Sequence, residues 1–577
     1  MKIQPMPTPT QTSLSQHLAQ VAAVVPAEVN PRLPKWLGNA SSARRQALKN
    51  SPIEFADWYG DANRTQQAPA KKALENSWKA QNQVDSALST LQSPQAFAAP
   101  LLQQALKQQY DADCDVSAIY LRLYIPQTTP LLPIETGAKT WTVSLVEAAL
   151  HNFDADESKP TAYAPESTFI TQPSATGQFN TLPQLREKIS IAQFIGLCRT
   201  LDVGKQYQRY LKNLLGFNDA AIKAQLRQKV INSLKADAQA SLHMAQLKKD
   251  VSPQAFNALR SFLKNLIGDL NGRPLLCHDL SLMNAPLTGI VLFAADLESN
   301  RSAVPMVAYI PGDPQSPLKY YANGQAFMQD LANKLRSADY QAFFSRFVRH
   351  EQRGYFFADL NSRLSQVVWH EHVSGDPRPV WRDEPVAKTN LQFYATKITN
   401  DLYEHLYENK LDKLLNDARV TAIPTADADR NARWRHWEVV QKIGEAILEI
   451  AAFIATPFVP PLGLLMLGYT TYQLLDDVFE GVLDWAEGLK RQAFGHLMSI
   501  LEQMVQLGMF AVGAPIAENL LRQTLPKALW DFFDRLTPVT TDRKTRLWNP
   551  DLAPYAHDIQ LVPGSRPGPQ GLHAHQQ

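Results

Sequence analysis

One stretch of this sequence is long, apolar and without formal charge. The 26 residues 450–475 contain no Asp, Glu, Lys or Arg, and Pro457, Pro460 and Pro461 lie among them. Proline has no backbone N–H and clashes with the preceding helical turn, so a single helix through this stretch is disfavoured. The pattern predicts two antiparallel helices, at 444–456 and 462–475, joined by a turn at 457–461.

The predicted hairpin, defined as residues 438–488, has two interpretations. It can be buried in a helical bundle, where residues 491–507 would help to cover it, because helices that are apolar all round usually form a core. It can also insert conditionally into a membrane, although each apolar arm is shorter than the ~20 residues that span a bilayer. Acidic groups at both ends oppose insertion while ionised, so protonation would favour it. Both interpretations hold if the hairpin is stored in a bundle and released later.

Tryptophan side chains flank the hairpin, and this residue prefers the boundary between water and hydrocarbon. Arg433 and Arg435 precede the first arm and suit anionic head groups. The residues predicted to interact with a membrane are Glu445, Glu449, Phe453, Ile454, Pro457, Pro460, Pro461, Leu464, Leu465, Leu467, Trp434, Trp437 and Trp485.

A chain of 577 residues is expected to form more than one domain. Residues 1–34 are rich in Pro, Gln, Ser and Thr and are predicted to be a disordered tail. We predict a mixed domain at 35–389, a helical domain containing the hairpin at 390–535, and a loop-rich segment at 536–577. The predicted fold class is α+β and predominantly α-helical, with the mixed N-terminal domain followed by the helical domain and its apolar Pro-turn hairpin.

Local patterns refine this division. Alternation predicts a strand at 117–126, and 140–153 begins as a strand and continues as a helix. Residues 288–296 and 304–314 are predicted to be paired strands. Helix is predicted over much of 33–108 and at 184–249, 324–349 and 390–418, a loop is predicted at 158–182, and the pattern does not decide between helix and strand at 355–360 and 365–374.

Composition excludes several classes of protein. The net charge of +2 gives no nucleic-acid footprint. The three cysteines are widely spaced without a CxxC motif, which favours free thiols in a reducing cytosol. The N-terminus has no apolar segment typical of a secretory signal peptide, so export would use a signal-independent route.

Two short motifs carry candidate chemistry. His370 and His372 share a face if they lie on a strand, but a zincin needs the longer HExxH spacing, so no metal site is predicted. Asp427 and Asp429 form a DxD motif, which can hold a divalent ion and nucleotide phosphates. The same triplet occurs at 111–113 and 154–156, and Thr425 or Asp427 could instead cap the next helix, which is the interpretation we favour. Cys198 lies in a core-like pattern rather than a reactive one, and no cofactor is predicted.

Several stretches resemble the N-terminal domain of the large dermonecrotic toxins of bacteria, especially pseudomonads. They are LPKWLGNASSARRQAL, LVEAALHNFDADE, FIGLCRTLDVGKQYQRYL, YIPGDPQSPLKYYANGQAFMQDLANKL, FFSRFVRHEQRGYFF, LNDARVTAIPTADADRNAR and FEGVLDWAEG. In that family the region precedes C-terminal effector modules. The resemblance implies an N-terminal toxin module, a short member of the family or a truncated product.

The resemblance implies a non-catalytic module for delivery or membrane interaction, made in the bacterial cytoplasm and secreted toward a host cell or membrane. Its expected partners are a membrane and the C-terminal toxin domains of longer relatives, with no nucleic acid. One alternative is an enzyme that uses Asp427 and Asp429, or His370 and His372. Another is a structural scaffold for C-terminal effector domains.

Overall fold

The structure is a computed structural model of the chain. It describes residues 64–429 except 130–131, 300–303, 373–374 and 376, together with positions 41, 58 and 62 and the backbone of two strands at 537–541 and 544–548. The side chains of 127–138 are not described. The predicted tail at 1–34 and the predicted hairpin at 438–488 lie outside the described residues.

The described part is α+β and mainly helical, as predicted. Its helices are α1 (Arg64–Ala87), α2 (Pro94–Tyr110), α3 (Leu145–His151), α4 (Pro183–Lys188), α5 (Ile191–Leu201), α6 (Val203–Leu214), α7 (Ala220–Leu247), α8 (Pro253–Asn265), α9 (Gly324–Leu335), α10 (Ala338–Ser345), α11 (His350–Leu364), α12 (Leu402–Thr421) and α13 (Thr425–Ala428). Its strands are β1 (Ile119–Thr129), β2 (Leu132–Ser144), β3 (Thr168–Thr171), β4 (Asp269–Leu270), β5 (Arg273–Pro274), β6 (Leu276–Leu282), β7 (Ala285–Ala294), β8 (Met306–Tyr309), β9 (Leu318–Tyr321), β10 (Ser365–Trp369), β11 (Trp381–Pro385), β12 (Phe393–Lys397), β13 (Thr537–Thr541) and β14 (Lys544–Trp548).

A five-stranded antiparallel sheet, ordered β12-β6-β7-β8-β9, lies between two helical layers. Successive side chains on a strand point to opposite faces. Phe293 of β7 therefore packs with α7, α8 and α12, whereas its neighbour Leu292 packs with α9, α10 and α11. Both faces of this sheet are buried, which explains the continuous apolar run in β7.

A second core surrounds the three-stranded sheet β2-β1-β3. Leu121 and Leu123 of β1 and Phe169 of β3 pack there against α2, α3, α5 and α6. Helix α12 joins the two regions, because its residues from Leu402 to Leu414 belong to the first core and Ala418 belongs to this one.

Helix starts follow local side-chain chemistry. Ser93 Oγ accepts a hydrogen bond from Ala96 N–H (3.1 Å), and Pro94 fills the first helical position of α2. The pairs Ser144 with Glu147 and Ser190 with Gln193 form capping boxes at α3 and α5. These caps set the directions of the two helices that meet the candidate site.

Several sequence predictions are confirmed. β1 covers most of the predicted strand at 117–126, the strand-to-helix change occurs at Ser144, and β7 pairs with β8 where two paired strands are predicted. The helices predicted before residue 108 are present as α1 and α2 in the described part. At the two undecided stretches, 355–360 is helical and 365–369 is a strand.

Other predictions are wrong in detail. The start of the predicted helix 390–418 is β12, because residues 393–397 pair with the edge of β6. The predicted helix 324–349 is broken, since Ser337 accepts from the backbone of Tyr340 and starts α10. The stretch 184–249 forms four helices, with left-handed backbone at Asp202 and Gly216. A short strand, β3, crosses the predicted loop at 158–182, and β13 and β14 pair within the segment 536–577.

Candidate functional site

Asp427 and Asp429 lie in a turn that follows α12, and each carboxylate contacts an arginine. Asp427 accepts from Arg419 Nε and Nη2, both at 2.6 Å. Asp429 accepts from Arg199 Nη1 at 2.8 Å and Nη2 at 3.3 Å. Hydrogen bonding from Arg199 holds the pKa of Asp429 below its ordinary value. Both carboxylates of the DxD motif therefore form bidentate ion pairs with an arginine.

Thr425 connects the same turn to two distant elements. Its backbone N–H donates to Asp202 Oδ1 (3.0 Å), and its hydroxyl donates to the carbonyl of Arg199 (2.8 Å). The amide of Asn152, just after α3, donates to the Thr425 hydroxyl (2.9 Å). α13 begins after Pro424 without a side-chain cap, so the cap predicted for Thr425 is wrong. The residues after 429 that Asp427 could cap lie outside the described residues.

This geometry favours structure over metal chemistry at the acidic turn. A DxD site for a divalent ion offers carboxylate oxygens to the metal. Here a metal ion would have to displace a guanidinium that is already paired in the bidentate geometry carboxylates prefer. Within the described ranges, no three side chains of His, Cys, Asp or Glu converge as a metal site.

The histidine pair does not share a strand face. β10 ends at Trp369, so His370 and His372 both follow it. Nε2 of His370 lies 2.8 Å from Oε1 of Glu384 on β11, while His372 is exposed. The two imidazoles thus have different surroundings.

The predicted membrane-interacting residues, from Trp434 to Trp485, all lie outside the described residues. Among the helices that the structure does describe, none combines the length and apolar character needed to cross a bilayer.

The sequence patterns did not predict a buried network of charged and polar side chains around Asp313. Asp313, fully buried in the loop between β8 and β9, contacts Lys334 Nζ at 3.0 Å. Its other donors are the Tyr340 hydroxyl (2.5 Å) and the backbone N–H groups of Gln315 and Ser316 (2.8 and 2.9 Å). Burial, reinforced by the charge of Asp313, raises the pKa of Tyr340 above its ordinary value. The phenol therefore stays a donor and holds the loop in place.

Asp330 extends this network along α9. It accepts from the Tyr321 hydroxyl (2.7 Å) and from Lys319 Nζ (3.1 Å). Burial acts to raise the pKa of Asp330, but these hydrogen bonds outweigh it and the pKa is lowered. The signal in the sequence is the segment 312–321, GDPQSPLKYY. Its loop-forming and charged residues lie close together and follow neither a helix nor a strand period.

Lys410 is a second buried charge that the sequence did not reveal. Burial lowers its pKa to about 8, and Asp237, which accepts from the Tyr309 hydroxyl at 2.6 Å, opposes that effect. Lys410 lines a cavity of about 10 Å³ with Tyr309 and Tyr403. That space suits roughly one water molecule, so it offers no room for an organic substrate.

Two cysteines are inert by burial. Burial raises the pKa of Cys198 and Cys277 well above the ordinary thiol value. A protonated thiol is a poor nucleophile. The prediction that Cys198 belongs to a core is confirmed.

These features define an α+β domain whose charged groups mainly join helices and loops together. Residues 88–351 match the sequence model of the dermonecrotic toxin N-terminal domain. Residues 88–351 therefore correspond to the N-terminal domain of the dermonecrotic toxin family. No curated protein matches the chain by sequence similarity.

Proposed function

We propose that this chain is a non-catalytic delivery module of a secreted bacterial toxin, and that it acts by contacting a membrane. The observation that carries the proposal is the match of residues 88–351 to a toxin N-terminal domain. The uncharged stretch at 450–475 supports the membrane part, since no other segment of the chain is as apolar for as long.

The local chemistry of the described residues is consistent with a non-catalytic role. Asp427 and Asp429 are held by Arg419 and Arg199, and the thiols of Cys198 and Cys277 are buried. The proposed partners are a membrane and the C-terminal effector domains of longer relatives. The proposed route out of the producing cell is independent of a signal peptide, and the proposed target is a host cell or its membrane.

The test is flotation of the purified chain with phosphatidylserine-containing vesicles at about pH 7 and about pH 5, where carboxylates near a membrane begin to protonate. We expect binding at the lower pH. An ionised carboxylate at mid-bilayer costs on the order of 3 kcal/mol, so Glu445→Gln combined with Glu449→Gln should move binding to higher pH.

The matched control is Glu408→Gln combined with Asp412→Asn, which neutralises two exposed carboxylates with the same spacing on α12. This pair should leave the pH of vesicle binding unchanged. If the wild-type chain binds no vesicles at either pH, the membrane role is rejected and delivery must use another mechanism.

A further inference from the structure

A separate two-stranded ribbon carries an exposed pair of tryptophans. β10 and β11 pair only with each other among the described strands. Their last registered pair is Trp369 with Trp381, which are 56% and 60% exposed. This pair lies four residues beyond the first pair, Ser365 with Pro385, or roughly 13 Å along the strand. The aromatic pair therefore lies at the end of the two strands that adjoins the connecting segment 370–380.

The two faces of the ribbon differ. Val367, 64% exposed, shares a face with both tryptophans, because opposed residues and alternate residues point the same way. Asp383, opposite Val367, lies on this face too, whereas the other face carries Gln366, Val368, Arg382 and Glu384. The exposed face therefore combines three apolar side chains with one carboxylate, and its apolar part is the end at the tryptophan pair.

The root of the ribbon is held firmly. Arg336, which ends α9, donates from Nη1 to the carbonyl of Leu364 (2.7 Å) and from Nη2 to that of Val386 (2.8 Å). These carbonyls flank β10 and β11, so one guanidinium joins both strands to the helical layer. The tryptophan pair is thus presented at a fixed place on the domain.

We propose that this ribbon docks at the head-group level of a lipid bilayer through Trp369, Trp381 and Val367. This inference rests on the proposed function and adds a second membrane contact to it. Tryptophan is the side chain most enriched at that boundary. The contact supplements the contact proposed for the segment 438–488.

The small area of the face favours lipid over a protein partner. Tryptophan buries about 150–250 Å² when fully covered, and these side chains are already partly covered. The face thus offers roughly 300 Å², against about 800 Å² on each partner of a stable protein interface. A lipid surface has no such threshold, because separate contacts on one chain add together.

The backbone groups at the edges of the ribbon determine how deeply it can enter a bilayer. His370 N–H donates to Val380 O (2.7 Å), so alternate residues of β10 form the hydrogen-bonded pairs with β11. Val367 and Trp369 lie between these pairs, and their backbone N–H and C=O groups therefore point toward the open edge of β10. Open strand edges are not tolerated in hydrocarbon. The edge of β11 carries Arg382, Asp383 and Glu384 and ends at Pro385, features that discourage strand addition. A contact at the head-group level keeps the open edge of β10 and the charged edge of β11 out of the hydrocarbon.

The test places an environment-sensitive dye on either face of one strand. Val367→Cys and Gln366→Cys are each labelled in a chain with Cys114→Ser, since Cys198 and Cys277 are buried. With phosphatidylserine-containing vesicles under binding conditions, the dye at 367 should gain emission and the dye at 366 should not. Equal or absent responses under conditions where the chain floats overturn the inference.

A second measurement compares vesicle affinity. Trp369→Ala combined with Trp381→Ala should weaken binding about tenfold or more, by the loss of apolar contact. Tyr355→Ala removes an aromatic side chain that is 83% exposed on α11 and should not change affinity. If wild type binds and the double variant binds equally, the ribbon contact is rejected while the proposed function stands. If wild type binds no vesicles, the proposed function fails first. Loss of toxicity with unchanged vesicle binding would indicate a protein partner and also overturn the lipid contact.

Discussion

Arg199 and Asp429 are 230 residues apart in the chain, and Nη1 of the arginine lies 2.8 Å from Oδ1 of the aspartate. The same arginine donates to the carbonyl of Phe153 at 2.6 Å. One guanidinium at the end of α5 thereby joins the segment after α3 to the turn after α12. In the sequence, residues 427–429 resemble a catalytic motif. In the structure, Asp429 in this turn is joined through Arg199 to a segment far away in the chain.

Neutralising the acidic turn should affect stability more than activity. Asp427→Asn combined with Asp429→Asn removes two partly exposed ion pairs, each contributing about 0–1 kcal/mol. We expect a small loss in the urea midpoint and retained toxicity of the full toxin. Asp412→Asn, exposed on α12, is the control for a changed charge. Loss of activity in a folded variant would instead support the enzyme alternative.

The pH dependence of that effect has a definite sign. The pKa of Asp429 is lowered in the fold by Arg199, so its stabilisation is present above the ordinary carboxyl pKa of ~3.9 and is lost as pH falls through the folded value. The difference in unfolding free energy between wild type and Asp429→Asn should therefore shrink toward about pH 3. A difference that grows in acid would contradict the ion-pair assignment.

Gly204 should not tolerate a side chain. A Cβ there would lie 2.4 Å from the carbonyl carbon of Ile423 and 2.5 Å from the nitrogen of Pro424, both backbone atoms. The backbone before the acidic turn approaches α6 this closely only because the residue is glycine. We expect Gly204→Ala to cost several kcal/mol, or to prevent folding, measured by urea denaturation with circular dichroism.

Gly196 supplies the matched control. It lies inside α5, and a Cβ there would meet nothing within 4 Å. Gly196→Ala should be neutral or stabilising by up to about 1 kcal/mol, because alanine is the better helix former. If both substitutions were equally harmless, the close approach of 423–424 to α6 would be wrong.

Local patterns predicted most of the elements but few of their contacts. The strand-to-helix change at Ser144 was predictable, because its alternation and its capping residues are local. β12 was not, since residues 393–397 become a strand by pairing with β6, more than 100 residues earlier. The same applies to Arg199, whose partner could not be inferred from spacing. The exposed position of Trp369 and Trp381 also needed the tertiary structure, as tryptophan alone usually indicates a core.

Acid should destabilise the described domain through buried and partly buried histidines. Burial, with Arg353 adding to it, lowers the pKa of His350 to about 4, although Asp417 opposes the shift. His243 and His278 also have pKa values lowered by burial. The unfolded chain, with a histidine pKa of ~6.5, binds more protons than the fold at mildly acid pH. The free energy of unfolding therefore falls as pH decreases below about 6.5. The contribution of His350 to this loss reaches roughly 3 kcal/mol once the pH is below its pKa in the fold.

Urea denaturation across about pH 7 to pH 4 checks this prediction. His350→Gln should make the decline in unfolding free energy shallower, because it removes one group that must be protonated on unfolding. His372→Gln, at an exposed position, should leave the slope unchanged. An identical slope for all three proteins would mean that His350 does not contribute.

The last prediction concerns the buried ion pair of Lys413 and Asp417, one turn apart on α12. Both side chains are nearly inaccessible, at 2% and 6% exposure. Asp417 Oδ1 also accepts from the backbone N–H of His350 at 2.9 Å, at the start of α11. The pair therefore anchors one helix to another as well as neutralising two charges.

Breaking this pair from one side should cost more than removing both charges. Lys413→Met removes the ammonium beside a buried carboxylate, and Asp417→Asn removes the carboxylate beside a buried ammonium, so each should cost about 3–5 kcal/mol. The double variant retains an amide oxygen that can accept from His350 N–H and has no buried charge. It should recover much of the loss, giving a favourable coupling in a double-mutant cycle of urea unfolding free energies. If the two losses simply add, the cost comes from packing around α12, and the ion pair does not anchor α11.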